Sequence, residues 1–140
     1  MVFSDGGARG NPGPAAAASI ILSEDCRILT TNARFIGSRT NNQAEYEALI
    51  AALESAIKLN AEEIVCHLDS ELVTKQLSGE YIVKNVELRK LWKKVQELTG
   101  RFKKVSFINV PRTNPHIQKV DALVNEILDE ESSKPLNGRA

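Results

Sequence analysis

Along this chain the spacing of apolar positions changes character at Thr40. Before it, short apolar stretches are separated by turn residues. Val2 to Ser4 end a first strand at Asp5, "AAAASIIL" (15–22) returns, and "CRILTTNARF" (26–35) adds a third, which predicts a β-meander. Between the first two lies "DGGARGNPGP", with four glycines and two prolines, the composition of a tight turn. From Thr40 onward, Tyr46, Leu49, Ile50, Leu53, Ala56 and Ile57 recur at helical spacing and form one stripe. Thr40 and Gln43 have the form of a capping box, so the helix is predicted to start there.

"EIVCHLD" (63–69) is an unbroken apolar run ended by Asp69, the pattern of a strand in a parallel sheet. "SELVTKQLSG" (70–79) predicts a short helix closed by Gly79. The next helix carries Leu88, Leu91, Trp92, Val95 and Leu98 on one side and stops at Gly100. "KVSFINV" (104–110) alternates as a strand. The last helix has Asn114 as its N-cap and Pro115 in first position, and its buried stripe is Val120, Leu123, Val124, Ile127 and Leu128. The order β-β-β-α-β-α-α-β-α predicts an α/β fold: a five-stranded mixed sheet, a three-strand meander then two parallel strands, flanked by helices.

At 140 residues the chain is expected to form one domain, residues 1–130, followed by a flexible tail, 131–140. Its 42% hydrophobic and 26% charged residues are ordinary for a soluble globular protein. No apolar run approaches the ~20 residues that span a bilayer, and no secretory signal precedes Asp5. The expectation is a cytoplasmic protein without a membrane partner. Cys26 and Cys66 fit no metal-site spacing and are expected to be reduced, mostly buried thiols. Eighteen basic residues balance eighteen acidic ones, which excludes gripping nucleic acid by overall charge. A local basic face is still available: Arg89, Lys90, Lys93, Lys94, Arg101, Lys103 and Lys104 face only Glu97 across that segment.

Four acids carry the candidate chemistry. Asp5 and Asp69 are each read as closing a strand, and sites in such sheets gather at the carboxyl ends of parallel strands. Parallel pairing of those two strands would set the carboxylates side by side. Glu45 falls early in its helix and Asp121 in the second turn of the last one. Each close pair of carboxylates, at about 4 Å and an effective dielectric near 20, repels by about 4 kcal/mol. A cation must therefore hold them together, and hard oxygen donors suit Mg²⁺ or Mn²⁺. Two such ions roughly 3.5–4 Å apart activate a water and stabilise the leaving oxygen of a phosphodiester. Singly, each acid has a plain reading: an Asp-Gly turn, a helix cap at Asp69, a dipole partner at Glu45, a surface residue at Asp121. Only the joint placement points to a metal-dependent enzyme.

Four stretches in order resemble type 1 ribonuclease H: "DGGARGNPGPAA", "TNNQAEYEALIAAL", "LDSELVTKQLSGEYIVKN" and "VPRTNPHIQKVDALVN". The resemblance runs from about residue 2 to 128. It is to the short form of the archaeal and reverse-transcriptase-like branch, because "YIVKNVELRKLWKKVQELTG" reads as one continuous helix with no room for a basic protrusion. The resemblance implies a ribonuclease H-like fold and a two-metal endonuclease, using Mg²⁺ or Mn²⁺, that hydrolyses the RNA strand of RNA/DNA hybrids to 5′-phosphate and 3′-hydroxyl ends. Double-stranded RNA is the alternative substrate, a catalytically silent hybrid-binding module is the alternative role, and no obligate protein partner is implied.

By position, Asp5, Glu45, Asp69 and Asp121 match the family's metal-binding acids. Asn11 matches a hybrid contact, and Asn41 and Asn42 match positions that read the minor groove around the RNA strand. An amide both donates and accepts, as the 2′-hydroxyl does. Thr40 matches a DNA-phosphate contact, and Lys84 in the third stretch is a further substrate-binding candidate. The family's mobile histidine lies further before the last acid than His116, which precedes Asp121 by only five positions. Arg112 stands nearer the expected distance, so Arg112 is the first candidate to assist catalysis and His116 the second. His67 is read as a sheet or core residue.

Overall fold

The structure, a computed structural model, describes residues 1–134. Its elements are β1 (Val2–Ala8), β2 (Gly13–Leu22), β3 (Ile28–Arg39), α1 (Asn41–Lys58), β4 (Glu63–Leu68), α2 (Glu71–Leu77), α3 (Val86–Thr99), β5 (Lys104–Asn109) and α4 (Pro115–Ser133). The sheet order is β3-β2-β1-β4-β5. The meander pairs antiparallel, whereas β1–β4 and β4–β5 are parallel. This is the element order and mixed sheet the periodicity predicts.

Alternation along β1 and β2 divides the core between the two faces of the sheet. Val2 and Ile21 look toward α1 and α3, joining Tyr46, Leu49, Leu53, Val73 and Val95 in the larger cluster. Phe3, Ala18 and Ile20 look the other way, onto Ile117, Val120, Val124 and Leu128 of α4. The helix starts follow their caps. Thr40 and Gln43 form the full capping box, and Asn114 accepts from His116 N and Ile117 N ahead of Pro115. Gly79 ends α2 at a φ of 86°, a left-handed stop that favours glycine.

Four expectations need correction. Asp5 does not end its strand: β1 runs on to Ala8, and Asp5 pairs with Ala18. Gly6 belongs to the strand because α1 lies directly on it; a Cβ there would sit 2.1 Å from Ala44 O. The continuous helix read from Tyr81 to Gly100 begins only at Val86, since the Asn85 side chain caps it by accepting from Leu88 N. Cys26 is exposed rather than buried, in the β2–β3 turn closed by Ser23–Arg27 hydrogen bonds, where its φ is 64°. Cys66 is buried, both thiols are free, and burial pushes the Cys66 thiol up to about 12. Finally, α4 continues through Ser133, so residues 131–133 are helical, with Lys134 paired to Glu131. The remainder of the expected tail, 135–140, lies outside the described residues. Among the described residues no helix is long and apolar enough to cross a membrane.

Candidate active site

The parallel register Phe3↔His67 brings the residues two further along each chain level, and these are Asp5 and Asp69. Glu45 reaches them from α1, which the Gly6 contact holds close to the sheet. One carboxylate oxygen from each of Asp5, Glu45 and Asp69 lies within 4.8 Å of the other two. Asp5 and Glu45 are buried at 5% exposed, and Asp69 is half-buried with its side chain only 7% exposed. Among the described residues, Glu45 Oε2 and Asp69 Oδ1 find no hydrogen-bond partner. Orphaned carboxylate oxygens this deep are costly, because nothing replaces the water they have lost.

The electrostatics carry the same message. Burial first, then the Asp69 and Asp121 carboxylates, push the Asp5 carboxyl up to about 8. Glu45 is raised well above the usual carboxylate range by burial and by Asp5 and Asp69, with Arg112 opposing. Arg112 reaches the cluster, its Nε 3.4 Å from Asp69 Oδ2 with its side chain 88% exposed. An ion pair so open to water is weak and does not neutralise the cluster. The donor set is all oxygen, closely spaced and short of positive charge, so it fits a hard divalent cation. Asp121 enters from α4, exposed, and borders the same cleft.

The remaining sequence candidates divide between rim and elsewhere. Asn11 Oδ1 accepts from Asn41 N at 3.2 Å, and Asn41 Oδ1 accepts from Ala8 N at 3.2 Å. These two amides bind the β1–β2 turn to the start of α1, and Asn41 lines the acid cleft. Asn42 is half-buried beside it. Thr40 caps α1: Oγ1 accepts from Gln43 N at 3.2 Å, while Thr40 N donates to Gln43 Oε1 at 2.8 Å. Arg112 lines the cleft from the segment after β5. Lys84 is exposed between α2 and α3 and does not line it. His116 is not brought to the acids either. Pro115 starts α4 one residue earlier, and the His116 ring packs tilted against Phe3, centroids 4.7 Å apart. His67 stacks on Phe3 at 4.2 Å with Nδ1 3.0 Å from Val2 O, a sheet residue as expected.

The profile of the family described as Reverse transcriptase-like matches residues 3–127. The chain belongs to that family. Its fold is that of ribonuclease H1. The solved RNase H1 of the halophilic archaeon Halobacterium salinarum has a TM-score of 0.88 to this family member at 43% identity, over 92% of this chain and 96% of that one. The N-terminal RNase H domain of a bifunctional protein from Mycobacterium tuberculosis also gives 0.88, at 39% identity over 94% and 95%. LC11-RNase H1, solved in complex with an RNA/DNA hybrid, gives 0.88 at 36% identity over 94% and 98%. Against the full-length curated proteins, the chain spans 63% of the Halobacterium Ribonuclease HI and 35% of the mycobacterial bifunctional protein.

Two further residues line the cleft of this Reverse transcriptase-like protein without having stood out in the sequence. Asn125 donates through Nδ2 to Asp121 O at 3.1 Å and to Asp121 Oδ2 at 3.3 Å. Its signal was available, since a residue four positions after an acid shares its helix face. Arg9, in the glycine-rich stretch after β1, had no such signal.

Proposed function

We propose that this protein is a divalent-metal-dependent endonuclease that hydrolyses the RNA strand of an RNA/DNA hybrid, leaving 5′-phosphate and 3′-hydroxyl ends. The observation that carries the reading is the buried Asp5–Glu45–Asp69 cluster with its orphaned oxygens. These three, with Asp121 from the open side, would hold Mg²⁺ or Mn²⁺, two ions in the working enzyme. Bound there, the ions supply Lewis-acid activation of a water and charge neutralisation at the phosphodiester. The remaining tasks fall to the chain's own side chains. Arg112, tethered to Asp69 and otherwise exposed, can follow charge as it develops on the phosphate oxygens. Asn11, Asn41 and Asn42 stand at the rim with amides matched to the 2′-hydroxyl. Thr40, Lys84 and the Arg89–Lys104 basic segment extend the phosphate-binding surface toward the uncut strand. His116 takes no part, because its ring is committed to Phe3. The LC11 complex supports this substrate, since a protein of the same fold was solved on an RNA/DNA hybrid.

The test is cleavage of an end-labelled hybrid, with double-stranded RNA in parallel, by wild type and Asp69→Asn in Mg²⁺ or Mn²⁺. Metal-dependent cutting confined to the RNA strand, and lost in the variant, is the expected result. No cutting by folded wild type in either metal would overturn the catalytic reading. Cutting of both duplexes would widen the substrate to double-stranded RNA.

A further inference from the structure

We propose that Arg9 is a phosphate clamp for the RNA strand, parked on Asp129 of α4 until substrate draws it away; this rests on the nuclease reading above. Arg9 lines the same cleft as Asp5, Glu45, Asp69 and Asp121. Its Nη2 lies 2.6 Å from Asp129 Oδ1, with the two side chains 42% and 71% exposed. A pair that open to water is weak, so exchanging one anion for another costs little. A phosphate is the better partner, because the guanidinium fork pairs with two of its oxygens at once.

The backbone beneath Arg9 is held, while its head is tied only to an exposed carboxylate. Arg9 N donates to Pro14 O at 2.9 Å, Gly10 turns the chain at a φ of 115°, and Gly13 fits because a Cβ there would meet Arg9 O at 2.2 Å. The sheet order then decides what the head can reach once released. Arg112 stands beyond Asp69 on the β4–β5 side, and Arg9 emerges at the β1–β2 turn on the other. The acids therefore lie between two guanidiniums. A strand carrying one charge per nucleotide cannot be held over four carboxylates by the centre of the cleft alone. It needs cations where it enters and where it leaves, and Arg9 supplies the end that Arg112 does not.

A structural brace between the turn and α4 would use the same ion pair, but the two roles differ in sign. For the clamp, Arg9→Ala raises KM for the hybrid about tenfold with kcat nearly unchanged, as expected for losing one charged hydrogen bond. The slope of log Kd against log salt, measured on the hybrid in an Asp69→Asn background, falls by about one unit. Asp129→Asn, which frees Arg9, lowers KM about two- to fivefold and leaves the slope alone, matching the loss of a weak competing ion pair. Arg9→Lys, which keeps the charge without the fork, falls between wild type and Arg9→Ala and covers the case of a poorly folding alanine variant. Parallel losses in Arg9→Ala and Asp129→Asn, with both melting lower and neither slope changed, would make the pair a brace and overturn the clamp. A wild type that cuts hybrid while Arg9→Ala and Arg9→Lys keep its KM also overturns it. A wild type that cuts nothing fails the nuclease reading first and takes the clamp with it.

Discussion

The two sides of the acid cleft are built differently. On the sheet side, the Asp5, Glu45 and Asp69 side chains are shielded from water, on β1, on α1 and at the end of β4, with Glu45 and Asp69 oxygens that no described residue satisfies. On the helix side, Asp121 stands exposed on α4 with Asn125 as its partner. These three cannot move apart without unpacking the core, so their repulsion is a standing cost that a cation would relieve. Asp121 adds to that repulsion at Asp5, but it approaches the site from water and stays solvated. In the proposed enzyme the sheet side sets the demand for a cation, and the helix side would complete its shell.

The sharpest break of that comparison is functional. Asp5→Asn, Glu45→Gln and Asp69→Asn are each expected to lower kcat at least about a thousandfold, as residues acting as one unit do. Asp121→Asn should cost less, about ten- to a hundredfold, the range for residues that support a metal site from outside. Steady-state rates on a labelled hybrid check both, and equal losses on the two sides would erase the distinction.

Gly6→Ala attacks the sheet side without touching an acid. Its new Cβ must displace the α1 backbone at Ala44, carrying Glu45 off Asp5. Overpacking of this kind costs about 1–3 kcal/mol, read by denaturant melts. Activity is expected to fall further than stability alone explains, with partial recovery at high Mg²⁺.

Stability without metal separates the sides by pH. An acid raised in the folded state, as Asp5 is from 3.8 to about 8, binds its proton more tightly when folded. Its contribution is fully present below 3.8 and is lost as pH rises toward 8. Melting in EDTA should therefore drop between pH 5 and pH 8, and Mg²⁺ should restore more at pH 8 than at pH 5. At pH 8 in EDTA, Asp5→Asn should melt about 3 °C or more above wild type, since it removes a buried charge. Asp121→Asn should melt within about 1 °C of wild type, as exposed substitutions do. The smallest effect belongs to Asn125→Ala. Loss of the hydrogen bond that orients Asp121 should lower kcat about two- to tenfold, with the metal requirement shifted upward in a Mg²⁺ titration.

What the sequence determined by itself is what local physics writes into it. Apolar period separated strands from helices, and short polar motifs marked where helices start, as at Thr40–Gln43 and Asn114–Pro115. The same locality placed Asp69 at the end of β4 and Glu45 early in α1, but choosing the four acids took their joint placement and the resemblance. Tertiary structure decided the rest, because a neighbour across the sheet leaves no mark in spacing along the chain. Asp5 proved to be mid-strand, since Gly6 answers to the Ala44 backbone and not to a turn. His116 faces Phe3 rather than the acids, because one residue of helix start rotates its side chain onto the sheet. Arg9 finds Asp129 at a separation of 120 residues, a pairing fixed by how α4 crosses the meander. Caps and periods act within a turn or two of helix, whereas charge and burial act through space, and only the packed sheet brings those distances together.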